Sequence, residues 1–229
     1  MRLILAMLVV AITALSGCAA VINNPIALSK ESVSSGSGKI GVAMSKVPEA
    51  NTYFPGAACL LCIGVAEIAH SKLSSVVKTW SITDLVSLKQ ETFALLKKRG
   101  ADVVLIEEPI KVNDFPSNSA SGENLPRRDF SALRAKYGID KLLVLDITAT
   151  GVSRPYSSYI PAGLPVSMVS GLAMIVDLKT NTFNWYLPLT TTRQADGAWD
   201  EEPKFPGLTN AYFQTVETVR DLVLVTLKP

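Results

Sequence analysis

Apolar and polar positions alternate along this chain in blocks whose lengths and periods predict a succession of strands and helices. Lys39–Val47, KIGVAMSKV, reads as a first strand, ended by Pro48 and the polar Glu49-Ala50-Asn51. After Pro55-Gly56 comes AACLLCIGVAEIA, which predicts an apolar loop or short helix leading into a helix up to about Lys78. Val65, Ala69, Leu73, Val76 and Val77 fall near one face of it. Thr83 or Asp84 is placed to cap the next helix, which runs to Arg99 with Leu85, Leu88, Phe93, Leu95 and Leu96 on its apolar side, and Gly100 stops it. Asp102–Ile106, DVVLI, is almost continuously apolar, which suits a strand buried on both faces.

Residues 113–128, NDFPSNSASGENLPRR, predict a polar loop, and Asp129–Tyr137 a short helix closed by Gly138. Lys141–Thr148 reads as the next strand. KKRGADVVLI and AKYGIDKLLVLDI therefore repeat one order of helix, glycine, short turn and apolar strand, as helices laid over a sheet require. Met168–Leu178 and Asn184–Thr192 then predict a hairpin, with Asp177 and Asn181 suited to local hydrogen bonds in its turn. Between these strands Ser153–Pro165, SRPYSSYIPAGLP, predicts a projecting loop, and Arg193–Pro206 a second polar stretch. A closing helix from about Asn210 to Leu227 carries Tyr212, Val216, Val219 and Val223 on one face. The expected fold is α/β (α+β): one domain over residues 39–229, a mixed sheet flanked by helices, with a C-terminal helix.

The first residues carry a different signal. One basic residue, Arg2, precedes the apolar run Leu3–Leu15, small residues and Cys18, the order of an export signal. The run is shorter than the roughly 20 residues of a membrane-spanning helix. Leu15-Ser16-Gly17-Cys18 resembles the bacterial lipobox, whose cysteine takes a thioether-linked diacylglycerol and becomes the mature N-terminus. The resemblance implies a signal peptide over 1–17 and a lipid (palmitate) attachment at Cys18, with membrane lipid as a partner. Ala19 stands where an inner-membrane retention aspartate would sit, so the implied address is the periplasmic face of the outer membrane. Residues 18–38, with the polar SKESVSSGSGK, then read as a flexible tether.

Composition narrows the chemistry. The chain is 229 residues long, 48% hydrophobic and of formal charge +2, enough apolar residue for a sizeable core and no excess of basic charge. Lys97-Lys98-Arg99 is placed to meet a helix dipole, so nucleic acid is not an expected partner. With a single histidine, His70, no Ser–His–Asp arrangement or G-x-S-x-G elbow stands out, and Gly36-Ser37-Gly38-Lys39 lacks the full phosphate-loop pattern. Glu107-Glu108 and Glu201-Glu202 read as surface acids. No catalytic residue, metal site or cofactor is expected. Cys59 and Cys62, spaced CxxC in an exported chain, read as a disulfide, as two buried or interface thiols, or as a thiol-redox pair. A metal site from these two and His70 lacks a fourth ligand.

The strand, helix, strand, helix, strand, hairpin and helix order over residues 39–227 resembles the N-terminal domain of TolB. The same general domain is found in the curli-secretion lipoprotein and in lipoprotein activators of penicillin-binding proteins. LLKKRGADVVLIEEPI, LRAKYGIDKLLVLDITA and AMIVDLKTNTFNWY carry the likeness; the CxxC segment and the long Tyr-Pro loop depart from it. It implies contact with envelope proteins or self-association, and no catalysis. Two segments are candidates for that contact: uncharged AACLLCIGVA with Leu60, Leu61 and Ile63, and the proline loop with Tyr156, Tyr159, Ile160 and Leu164.

Overall fold

A computed structural model describes residues 24–120 and 122–228; the signal peptide and Cys18 lie outside them. Its centre is a mixed sheet. Strand β1 (Ile40–Met44) lies parallel to both β3 (Val103–Leu105) and β4 (Lys141–Ser153). Strand β2 (Asn51–Tyr53) pairs in parallel with the far end of β4, from Gly151 to Ser153. The order across the sheet is β3-β1-β4-β7-β8, where β7 (Val166–Asp177) and β8 (Thr182–Gln194) form the antiparallel hairpin. β3 is thus an edge strand of half-buried residues, where its continuous apolar run had predicted burial on both faces. The strand so buried is β1.

Helices flank the sheet on both faces. α1 (Leu60–Ala69), α2 (Ser71–Val77) and α3 (Thr83–Lys98) follow β2; α4 (Ala132–Tyr137) precedes β4; α5 (Pro206–Leu227) closes the chain. α2, α3 and α5 bury Leu73, Val77, Leu85, Leu88, Leu96, Tyr212, Val216, Val219 and Val223 against Val42, Leu143, Ile175 and Trp185. Each such side chain contributes about 1.5–3 kcal/mol by leaving water. The predicted apolar faces of α3 and α5 are therefore the packed ones. Arg220 Nη2 donates to both carboxylate oxygens of Glu91, at 2.9 and 2.7 Å, and so ties α5 to α3. Ser81, rather than Thr83 or Asp84, accepts from the first turn of α3, through the Thr83 N–H at 3.1 Å. On the opposite face α4 and the loop before it bury Ile106, Phe130, Leu133 and Ile139 against Leu142, Val144, Met174 and Val176.

The segment read as a tether is, from residue 24 on, part of the body. Ile26 forms a backbone bridge with Tyr186 of β8, Lys30–Val33 makes a short 3-10 turn, and Val33 is fully buried. Lys141 donates from Nζ to Ser32 O at 2.8 Å, and burial, against the pull of Asp177 and Asp140, holds its ammonium below the usual lysine range. Serine and glycine predict solvation, but the two apolar residues Ile26 and Val33 decide the matter by finding the core.

Two glycines shape the end of the sheet that carries β2. Gly151 has φ +127, and a Cβ there would strike the Asn51 carbonyl of β2. Gly56 has φ +89, and its Cβ would strike the Tyr156 carbonyl. Both are places where two backbones meet without room for a side chain. We expect Gly151→Ala to cost on the order of 2 kcal/mol or more in denaturant unfolding. Proteolysis of the native protein should then open at the chain around β2 and α1 before the rest.

Candidate functional site

At the β2 end of the sheet the chain builds a structure that its own core does not cover. β2 runs alongside the last residues of β4 and delivers Phe54-Pro55-Gly56 to α1. Beyond β4 a small hairpin forms, β5 (Tyr156–Ser157) and β6 (Ile160–Pro161), joined to the α1 lead-in by Tyr156 N–H to Pro55 O at 2.7 Å and Ser158 N–H to Gly56 O at 3.1 Å. The two candidate surfaces, about 100 residues apart in sequence, are thus one surface in the fold.

α1 touches the body along a narrow stripe. Cys62 and Ala66, one helical turn apart, pack with Ala57, Tyr156 and Phe54 in a small satellite cluster. The rest of the helix is open: Leu60 is 91% exposed, Leu61 78% and Ile68 78%, with Ile63 and Val65 also exposed. The predicted apolar face through Val65 and Ala69 is interrupted, because the chain bends by 77° between α1 and α2. Leu73 and Val77 of α2 reach the main core, while α1 turns away from it. Tyr159, Ile160 and Leu164 project from the hairpin side, more than half exposed.

Tyr156 was the candidate contact residue that the fold withdraws. It is buried, with its hydroxyl 2.9 Å from His70 Nε2. Arg154 donates from Nη1 to the same Nε2 at 2.9 Å and lies over the Trp199 ring at 4.7 Å. Phe54 stacks on the imidazole at 5.6 Å. This aromatic and cationic knot fastens α1, the hairpin and the loop before α5 to one another. Lys72 of α2 and Glu202 of that loop form a surface ion pair at 2.7 Å beside it.

Cys59 and Cys62 are joined as a disulfide across the first turn of α1. Cys59 is also the helix N-cap, its sulfur accepting from the Cys62 N–H at 3.0 Å. The bond closes a very short loop and rigidifies the exposed turn that carries Leu60 and Leu61. His70 turns its Nε2 to Arg154 and Tyr156, and no cluster of three metal-ligating side chains occurs among the described residues. A separate cleft of about 590 Å³ lies on the other sheet face. Arg127 and Arg128 line it opposite Asp146, Thr148, Leu172 and Tyr186. Sequence reading missed it because its walls come from segments with no common motif.

No family model matches the chain, and no curated protein does. Among solved structures it is similar to a dodecameric point variant of PelC from Paraburkholderia phytofirmans, at 12% identity over 90% of this chain and 96% of that one, with a TM-score of 0.33. It is also similar to XCC0632 of Xanthomonas campestris, at 13% identity over 82% and 83%, with a TM-score of 0.36. Lipoprotein GNA1162 of Neisseria meningitidis gives 15% identity over 79% and 97%, with a TM-score of 0.26. Likeness at this level assigns no function.

Burial first, and the Arg154 charge second, hold His70 below the ordinary imidazole value of 6.5. The unfolded chain gains a proton as pH falls through about 6.5, whereas the folded chain resists until lower pH. The stability carried by neutral His70 is therefore complete above 6.5 and declines progressively below it. Because His70 is the one histidine of the chain, denaturant unfolding between pH 7 and 5 should show this decline, and His70→Gln should remove most of it.

Proposed function

We propose that this chain is a lipoprotein of the bacterial outer membrane, anchored through Cys18 and facing the periplasm. Its role is non-catalytic: structural, assembly or regulatory contact within an envelope complex, self-association included. The observation that carries the envelope role is the apolar end formed by α1 and the β5–β6 hairpin. A helix that is apolar almost all round is normally buried. Here Leu60, Leu61, Ile63 and Ile68 are exposed together, and a contiguous apolar surface of this kind calls for cover from another component. The N-terminal export pattern and the lipobox-like Leu15–Cys18 support the address.

The test is made in the native envelope. Wild-type protein should incorporate labelled palmitate and sediment with membranes, and Cys18→Ala should do neither. Mild crosslinking followed by mass spectrometry should trap a specific partner or a self-crosslinked assembly with wild type and lose it with Cys18→Ala. Wild type without label would overturn the anchor, and wild type without any specific crosslinked species would overturn the assembly role.

A further inference from the structure

The apolar end leaves open what covers it. We propose that the bilayer itself does: α1 and the tip of the β5–β6 hairpin dip into the leaflet that holds the Cys18 lipid, as a second attachment that sets the orientation of the domain. This rests on the lipoprotein reading of Cys18.

Chain direction is the first argument. β4 ends at Ser153, paired with Val166 at the start of β7, which is paired with Gln194 at the end of β8. All three lie at the apolar end. Ile26 pairs antiparallel with Tyr186, so the residues before Ile26 approach from the end toward which β8 runs. The described chain therefore leads back toward the apolar end and not away from it. Reach is the second argument. Cys18 lies eight residues before Ile26, a span of at most about 27 Å when extended. Tyr186 to Gln194 is also eight residues, so the lipid and the apolar end can meet one membrane plane.

The third argument is the character of the end. Residues 57–66 and 155–165 contain no charged side chain. The first charges met along the chain are Glu67, exposed in the last turn of α1, and Arg154, which is held in the His70 knot, so the first two turns of α1 and the hairpin tip form the uncharged part. α1 has ten residues, about 15 Å, half the roughly 30 Å of a hydrocarbon core. It is too short to cross a membrane and suited to lie at its surface. Its first turn is capped by Cys59, which lowers the cost of placing a helix end among lipid tails. The loop beside α2 carries Asp196, Asp200, Glu201 and Glu202, so attraction to anionic headgroups is not the driving force, and attachment should be insensitive to salt.

The experiment uses the full lipidated protein. With Cys18 acylated and Cys59 bonded to Cys62, Ile160→Cys supplies a free thiol for an environment-sensitive fluorophore. Lys98→Cys, exposed at the far end of α3, is the control site. Both proteins are placed in vesicles of phosphatidylethanolamine and phosphatidylglycerol doped with a lipid bearing a nitroxide on its acyl chain. We expect blue-shifted, nitroxide-quenched emission at position 160 that persists in high salt, and an aqueous, unquenched probe at position 98. Leu60→Asp with Leu61→Asp should reduce quenching at 160 severalfold while the lipidated protein still floats with the vesicles. A probe at 160 that stays aqueous on floating protein would overturn insertion and leave the anchor intact. A probe shielded from water but unquenched, with 160-to-160 crosslinks, would overturn it in favour of a second copy. Wild type that fails to float overturns the anchor, and insertion with it.

Discussion

Strand β4 is the constraint on which the molecule depends. It is thirteen residues long, whereas β1 beside it has five. β7 matches β4 along its whole length on the other edge. The overhang beyond β1 would expose unpaired backbone groups, and β2 supplies the missing neighbour at Gly151–Ser153. Placing β2 there brings α1 with it and sets the lead-in against the start of the β5–β6 hairpin. The apolar end is thus a consequence of how one long strand completes its hydrogen bonds.

That end is held by less apolar packing than the body. The main core spans three helices and the sheet, while α1 rests on a cluster of a few small and aromatic side chains. Leu60 and Leu61 leave unrealised about 1.5–3 kcal/mol each that burial would return. The disulfide, the Cys59 cap and the His70–Arg154–Tyr156 contacts make the exposed helix rigid without hiding it. Rigidity of this kind lowers the ordering cost of a later contact, which fits a surface meant to be covered by something other than the chain itself.

Local pattern alone determined much of this protein. The 3.6-residue periods of α3 and α5, the two helix–glycine–strand units and the β7–β8 hairpin were legible because each is written in contiguous residues, and the mixed sheet with its terminal helix followed from their order. So did the candidacy of the CLLC segment and the proline loop, since runs without charge are visible without coordinates. Tertiary structure decided what depends on residues distant in sequence. It placed β3 at the edge, drew Ile26 and Val33 into the body, turned α1 away from the core at His70 and buried Tyr156 under it. It also joined the two candidate segments into one surface. The physical reason is that periodicity reports which side of an element is apolar, whereas burial depends on which other element arrives to cover that side.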